Sequence, residues 1–173
     1  ARLSSGLRIN SARDDAAGLA ISTRMGAEIR GTEVAKRNTN DGISALQIAD
    51  GALASITDNV QRMRELAVQA STGTLTTGDR ANLDAEYQEL KLQIVDTASK
   101  AKFNGVALLD TAAGGTGITI QTGANSGDTT IVKTMDASSL TSTVGVITGT
   151  DGTAASGEIT DLDAILTSLN TGR

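Results

Sequence analysis

Apolar side chains between residues 46 and 70 recur at intervals that alternate between three and four, the spacing of one face of a coiled-coil helix. The positions on this face are Leu46, Ala49, Leu53, Ile56, Val60, Met63, Ala67 and Ala70. Upstream, the same face continues less regularly through Ile21, Met25, Thr32 and Ala35. The pattern predicts one long amphipathic helix over residues 19–72.

Two glycines interrupt this helical pattern, at Gly42 and Gly51. Each costs a helix roughly 1 kcal/mol relative to alanine. They either mark bends in the helix or allow another part of the backbone to approach it closely.

A second amphipathic helix is predicted over residues 80–102, after a turn at 73–78 and a side-chain cap at Asp79. The residues of its apolar face again lie four and three positions apart in alternation, at Leu83, Tyr87, Leu90, Ile94, Thr97 and Ala101. Asn104-Gly105 is predicted to end it with a left-handed cap. Two such helices joined by a short turn should pack antiparallel, and they leave an apolar stripe for a third helix or a second copy.

Residues 111–157 are rich in Gly, Thr, Ser and Ala. Alternation of apolar and polar residues predicts a β-hairpin over 118–133, and a weak strand is predicted at 144–147 within a loop. Apolar spacing returns over 158–170 and predicts the start of a third helix in 158–173. The fold class predicted is mainly α, a long-helix, coiled-coil-like bundle made of a helical hairpin plus the start of a third helix, with a small β-hairpin.

Composition excludes several kinds of chemistry. The chain has 15 basic and 20 acidic residues, a net charge of −5, one Phe, one Tyr and no Trp, Cys or His. It therefore lacks the basic patches and stacking residues of nucleic-acid binding, and its apolar stretches are too short to span a membrane. Thiolate and imidazole catalysts and metal ligands are absent. Asp14 and Asp15 are adjacent carboxylates that a helix would point about 100° apart. We expect neither an enzyme nor a cofactor or metal site.

Four sequence blocks together resemble the flagellin family. They are Leu3-Ser4-Ser5-Gly6-Leu7-Arg8-Ile9-Asn10-Ser11-Ala12-Arg13-Asp14-Asp15-Ala16-Ala17-Gly18, Arg37-Asn38-Thr39-Asn40-Asp41-Gly42-Ile43-Ser44, Gln61-Arg62-Met63-Arg64-Glu65-Leu66-Ala67-Val68-Gln69 and Phe103-Asn104-Gly105. Their order and spacing match the family's amino-terminal signature, and the resemblance covers about residues 1–135.

The resemblance implies a domain organisation. Residues 1–18 would be the spoke or connector region, 19–110 the helical core of the outer tube, 111–157 the β-hairpin and distal loops, and 158–173 the start of the returning carboxy-terminal helix. Both ends look cut, without the terminal segments that pair into the family's inner tube. We therefore expect a fragment that does not form filaments alone and that exposes apolar side chains between Ile21 and Leu46.

The function implied by the resemblance is that of a structural subunit of the extracellular bacterial flagellar filament, which serves motility. The implied partners of the full-length protein are other flagellin subunits, an export chaperone and the filament cap. A further implied partner is the animal Toll-like flagellin receptor. No nucleic acid or membrane is expected among the partners.

The candidate site lies in the block 61–69. Helical spacing turns Met63 and Ala67 toward the bundle and Gln61, Arg62, Glu65, Leu66 and Gln69 elsewhere. Leu66 is a large apolar residue away from the main seam, so it either widens the apolar stripe or is an exposed anchor beside Arg62. The resemblance implies that Gln61, Arg62, Leu66 and Gln69, with Glu86 on the second helix, contact the receptor, and that the same surface lies between stacked subunits.

Two other functions remain possible for a chain of this kind. The first is a surface adhesin or glycan-binding protein on the same scaffold, although aromatic platforms for sugars are lacking. The second is a hook–filament junction protein, a distant relative with similar terminal helices. A metallopeptidase insertion would need histidines, which the chain does not have. The Ser/Thr-rich tract 138–153 either accepts O-linked sugars or is simply an exposed loop.

Overall fold

The computed structural model describes residues 15–110, 113–114 and 117–172. The described chain is mostly helical, with α1 (Ala16–Ala70), α2 (Thr77–Lys100) and α3 (Thr153–Gly172), and a short 3-10 helix at Leu140–Ser142. Two small antiparallel pairs of strands complete it: β1 (Lys102–Phe103) with β2 (Val106–Ala107), and β3 (Ile118–Gln121) with β4 (Thr129–Val132). The predicted fold class is confirmed.

The described chain divides into two compact units. The first consists of residues 15–42 and 119–131, and the second of residues 43–118 and 132–172. Helix α1 supplies residues to both units, and so does the β3–β4 hairpin.

Helix α1 begins three residues earlier than predicted and ends two residues earlier. Its start follows from Asp15, whose carboxylate accepts a hydrogen bond from the backbone N–H of Gly18 at 2.8 Å. An aspartate in this position satisfies one of the free N–H groups of the first turn. The cap therefore sets a start that apolar spacing alone could not locate.

Helix α2 begins at Thr77 rather than at residue 80, because Thr76 and not Asp79 is its N-cap. The hydroxyl of Thr76 accepts a hydrogen bond from the backbone N–H of Asp79 at 3.2 Å. The carboxylate of Asp79 in turn accepts one from the backbone N–H of Thr76 at 3.0 Å. This reciprocal pair is a capping box, in which Asp79 is the third helical residue.

Asn104 and Gly105 do adopt left-handed backbone conformations, with φ of 49° and 82°. Their predicted role as a helix cap is wrong, because α2 is capped at Ala101. They form instead the two-residue turn between β1 and β2, which pair Lys102 with Ala107 and Phe103 with Val106. Positive φ at both turn residues is the requirement of a tight hairpin turn, which Asn-Gly meets best.

The β3–β4 hairpin confirms the prediction for residues 118–133. In the first unit, the side chain of Asn38 on α1 donates a hydrogen bond to the carbonyl oxygen of Gln121 at 3.3 Å. A Cβ atom added to Gly42 would lie 2.1 Å from Cδ1 of Ile120, whereas one added to Gly51 would meet nothing within 4 Å. Gly42 is thus a site of close approach, here by the Ile120 side chain.

The core of the second unit contains the predicted apolar faces of the helices. The deeply buried residues of α1 include Ile56, Val60, Met63, Ala67 and Ala70 of that seam. Helix α2 contributes Tyr87 and Ile94, and α3 contributes Leu162, Ile165 and Leu169. Leu46, which the seam also included, remains 39% exposed.

The strand predicted at residues 144–147 is absent; Val144 and Ile147 are buried, whereas Val146 is exposed. The backbone groups of this segment are bonded to side chains rather than to a second strand. The N–H of Ile147 donates to Asp84 at 2.9 Å, and the carbonyl oxygen of Gly145 accepts from Gln88 at 3.0 Å. Residues 144–147, which we call the strap, are therefore held by side chains of the neighbouring helices.

Helix α3 begins at Thr153, five residues before the predicted start. The carboxylate of Asp151 accepts a hydrogen bond from the backbone N–H of Thr153 at 3.2 Å, and the N–H of Ser156 donates to the carbonyl oxygen of Gly152 at 2.9 Å. The first turn contains small and polar residues, with Ala155 buried. Apolar spacing does not detect a turn of this composition.

Candidate contact face on helices α1 and α2

The candidate site residues lie in the second unit, and all but one of them are exposed. We define the contact face as the exposed members of the predicted set, which are Gln61, Arg62, Glu65 and Gln69 of α1 and Glu86 of α2. The first four are spaced so that they share one side of α1. Glu86 joins them because α2 packs beside α1.

Arg62 is the centre of the contact face. Its Nε donates to Oε1 of Glu86 at 2.9 Å and its Nη1 to Oε2 of Glu65 at 2.9 Å, while Nη2 lies 2.8 Å from Oε1 of Glu86. The hydrogen bond to Glu65, followed by that to Glu86, raises the pKa of Arg62 above its ordinary value. The guanidinium thus connects α1 with α2 at the surface.

Leu66 is not part of this exposed surface. Its side chain is 1% exposed and belongs to the core of the second unit. The expectation of an exposed leucine beside Arg62 is therefore wrong, and the alternative that Leu66 widens the apolar stripe is confirmed. A heptad seam describes contact with one neighbour, whereas α1 is packed on more than one side.

Gln61 and Gln69 are exposed as expected and lie outside the hydrogen-bond network of Arg62. Asp58 is a further exposed residue of this side of α1 that the predicted set missed. It lies four positions before Arg62, and residues four apart are neighbours on a helix surface. Helical spacing could therefore have identified Asp58 as a member of this surface from the sequence.

Side-chain contacts between the helices support the contact face from the interior and from the side. The hydroxyl of Tyr87 donates to Oε2 of buried Glu158 on α3 at 2.9 Å. Glu158 also accepts a hydrogen bond from the backbone N–H of Gly145 at 3.0 Å. On the surface, Nε of Arg64 on α1 donates to Oδ1 of Asp163 on α3 at 2.6 Å.

Arg80 also supports the contact face, and its burial was not predicted from the sequence. It is 1% exposed, and its guanidinium donates to the carbonyl oxygens of Ala70 at 2.9 Å, Thr72 at 2.7 Å and Leu75 at 3.0 Å. These carbonyls belong to the end of α1 and the turn that follows it. Arg80 therefore closes the α1–α2 connection, which orients the two helices of the contact face.

The part of the chain that the structure describes contains no group of three His, Cys, Asp or Glu side chains able to hold a metal ion. None of its helices is long and apolar enough to cross a membrane.

The expected exposure of apolar side chains toward the amino end of α1 is confirmed. In the first unit, Ile21, Met25 and Ile29 are 51%, 55% and 61% exposed. In the second unit, Ile43 and Leu46 are 49% and 39% exposed.

Comparison with known proteins identifies related sequences. The model of one protein family, described as the bacterial flagellin N-terminal helical region, matches residues 1–114. A flagellin of Salmonella muenchen is 48% identical over 140 residues, which is 81% of this chain and 27% of that protein. A flagellin of Halalkalibacterium halodurans is 43% identical over 174 residues, which is 99% of this chain and 63% of that protein. The chain thus spans between about a quarter and two thirds of these relatives.

A solved structure supports the same relationship. The crystal structure of Bacillus cereus flagellin superposes with a TM-score of 0.70 at 43% sequence identity. The match covers 79% of this chain and 78% of that one.

Proposed function

This chain belongs to the flagellin family, and on that premise we propose that it is the helical core of a structural subunit of the bacterial flagellar filament. Flagellins are structural proteins and are not known as enzymes. The observation that carries the proposal is the family match over residues 1–114 together with a relative that aligns with 99% of the chain. The subunit would act outside the cell, in motility, and its first partners would be other copies of the full-length protein.

The contact face supports a role in assembly. A filament grows when identical subunits make contacts that do not close into a ring. Such contacts need rigid elements that present the same groups on every copy. The contacts among α1, α2 and α3 behind the contact face, and the pairing of Arg62 with Glu65 and Glu86 on it, are consistent with this need. We propose that the contact face lies between subunits of the filament, and that an export chaperone and the filament cap are further partners of the full-length protein.

The test of the structural role is complementation. Residues 1–173 would replace the matching segment of the Halalkalibacterium halodurans flagellin, and the chimera would be expressed in cells that lack flagellin. Filaments and swimming are the expected results. Export of the chimera without filaments would contradict the subunit role and favour the junction-protein alternative.

We further propose that the contact face is a ligand for the animal Toll-like flagellin receptor. The specific support is an exposed arginine at the centre of the face, with the exposed amides of Gln61 and Gln69 on the same side of α1 as further hydrogen-bonding groups. The buried position of Leu66 means that polar groups, and not an apolar anchor at that residue, would make the contact.

Receptor activation in reporter cells tests this second role. Arg62→Ala and Gln69→Ala should each weaken activation by roughly tenfold or more if the face is central to binding. Lys133→Ala removes an exposed charge of the same sign next to the β3–β4 hairpin and should leave activation unchanged. Equal potency of the Arg62 and Lys133 variants would contradict the proposal.

The adhesin alternative has no support among the described residues. Sugar-binding sites commonly stack the ring on an exposed aromatic side chain. The one tyrosine, Tyr87, is fully buried, and Phe103 packs against the core.

A further inference from the structure

The strap is held against α2 by side chains that bind only its backbone. Spacings of four and three place these side chains on one side of the helix. We call them the clamp, and they are Asp84, Gln88 and Lys91. In that order they bind the N–H of Ile147 at 2.9 Å, the carbonyl oxygen of Gly145 at 3.0 Å and the carbonyl oxygen of Val144.

Helix α3 holds the strap from the other side. The carboxylate of Glu158 accepts a hydrogen bond from the N–H of Gly145 at 3.0 Å. Two apolar side chains of the strap, Val144 and Ile147, are buried in the core of the second unit. The strap is thus attached by four polar side chains and by two apolar residues of its own.

The side chains that bind the strap have other partners besides it. The amide of Gln88 also donates to Oδ1 of Asp84 at 3.3 Å, and Glu158 also accepts from the hydroxyl of Tyr87 at 2.9 Å. Lys91 is only half-buried, so its ammonium group can turn to solvent. Departure of the strap would therefore leave none of these groups buried without a partner, which is the arrangement that costs most free energy.

The three helices of the second unit are joined by contacts that do not involve the strap. Helices α1 and α3 are joined by the pair of Arg64 with Asp163, and α2 and α3 by the hydrogen bond from Tyr87 to Glu158. Arg80 closes the connection between α1 and α2. Movement of the strap therefore breaks no contact between helices.

The chain on either side of the strap is fixed. Before it, Leu140 of the short 3-10 helix is buried. After it, Nη1 of Arg80 donates to the carbonyl oxygen of Thr150 at 3.5 Å. Between these fixed points, Gly149 has a φ of 144°, a conformation open mainly to glycine. The fixed ends confine any movement to about residues 142–149.

We propose that the strap is a releasable latch, which leaves the clamp and Glu158 as one unit while the three helices stay packed. Its release uncovers the hydrogen bond between Tyr87 and Glu158 and the apolar surface that Val144 and Ile147 cover. Contiguous segments with few buried contacts open in this way at a lower free energy than the whole fold. The inference goes beyond the proposed function, because it concerns a movement inside the second unit rather than assembly or receptor binding.

Native-state hydrogen exchange of the purified chain, followed residue by residue by NMR at rising urea concentrations, tests the latch. The N–H groups of Gly145 and Ile147 should exchange with one shared opening free energy, lower than that of the N–H groups of Met63 and Leu162 in the helices. Their exchange should depend little on urea, because opening the strap exposes little surface. Exchange of all four groups with the same opening free energy and the same urea dependence would overturn the inference.

A matched pair of lysine variants tests whether the strap opens as one unit. Lys91→Met removes the hydrogen bond to Val144 alone, yet it should speed exchange at both Gly145 and Ile147 by the same factor, roughly fivefold to tenfold. Lys100→Met makes the same change farther along α2, where the lysine pairs with Asp96 in solvent, and should alter neither rate.

Three results with these variants would also overturn the inference. They are faster exchange in Lys91→Met at only one of the two strap amides, unchanged exchange at both, and an equal effect of Lys100→Met. The test needs neither filament nor receptor, so its failure leaves the proposed function standing.

Discussion

The hydroxyl of Tyr87 on α2 donates a 2.9 Å hydrogen bond to Oε2 of Glu158 on α3, in the interior of the second unit. Tyr87 is fully buried, and Glu158 is 9% exposed. Glu158 also accepts hydrogen bonds from the N–H of Gly145, so one carboxylate joins α2, α3 and the strap. A buried carboxylate is tolerated only where donors surround it.

Replacing Tyr87 with phenylalanine removes one of these donors without removing the ring. Because the buried carboxylate of Glu158 then keeps only the N–H of Gly145 as a donor, we expect the free energy of unfolding to fall by roughly 1–3 kcal/mol. Urea unfolding followed by far-UV circular dichroism measures this. A variant as stable as the parent chain would show that the bond contributes nothing.

Tyr87 also makes stability depend on pH. Burial, followed by the hydrogen bond to Glu158, raises the pKa of Tyr87 above its ordinary value of 10.0. Above pH 10 the unfolded chain releases the phenol proton while the folded chain retains it, so the contribution of this group is complete below pH 10 and declines above it. We expect the free energy of unfolding to fall more steeply with rising pH in the parent chain than in Tyr87→Phe. Identical pH profiles would contradict this.

Two arginines offer a matched comparison of buried and exposed positions. Arg80→Ala leaves the carbonyl oxygens of Ala70, Thr72 and Leu75 without their donor, and we expect it to cost roughly 3 kcal/mol or more. Arg64→Ala breaks only the exposed pair with Asp163, which should have a small effect. Thermal unfolding of both variants measures which substitution lowers the stability more. A larger loss of stability in Arg64→Ala than in Arg80→Ala would contradict the role assigned to Arg80.

The two glycines of α1 provide a second matched pair. Gly51→Ala should stabilise the chain by about 1 kcal/mol, because its Cβ would meet nothing within 4 Å. Gly42→Ala has the same helical benefit but must displace Cδ1 of Ile120, the end of a flexible side chain, and this displacement offsets part of the benefit. Chemical unfolding of the two variants should therefore rank Gly51→Ala above Gly42→Ala. Equal stability would show that Ile120 moves aside without cost.

Local periodicity predicted the parts of the fold that depend on near neighbours in sequence. The seam from Leu53 to Ala67 is buried as expected, because seven-residue spacing turns those side chains to one side of a helix. The β3–β4 hairpin was predicted from alternation for a similar reason. The start of α2 was misplaced because Thr76 and Asp79 are both good capping residues, and only the backbone shows which one is the N-cap.

Features that depend on distant parts of the chain were not predictable in this way. Leu66 is buried because α1 has neighbours on more than one side, which a single seam does not reveal. Arg80 is buried because its guanidinium donates hydrogen bonds to backbone carbonyl oxygens. Every residue has such a carbonyl, so the sequence does not indicate which ones will meet an arginine. Of the contact face, the exposed polar members on α1 were predicted from spacing and Glu86 only from the family resemblance, while the ion pair between Arg62 and Glu86 required the packing of α2 beside α1.

Burial of the contact face between subunits of a filament is tested most directly by thiol protection in the complementation chimera. Residues 1–173 contain no cysteine, so a single introduced thiol is distinguishable within them. Gln69→Cys places a thiol on the contact face, and Thr143→Cys places one at an exposed position next to the strap as a control.

Each variant would be exposed to a maleimide reagent as dissociated subunits and as filaments. We predict that Cys at position 69 is labelled in subunits and protected in filaments, while Cys at position 143 is labelled in both. Equal labelling of position 69 in subunits and in filaments would contradict the proposal that assembly buries the contact face.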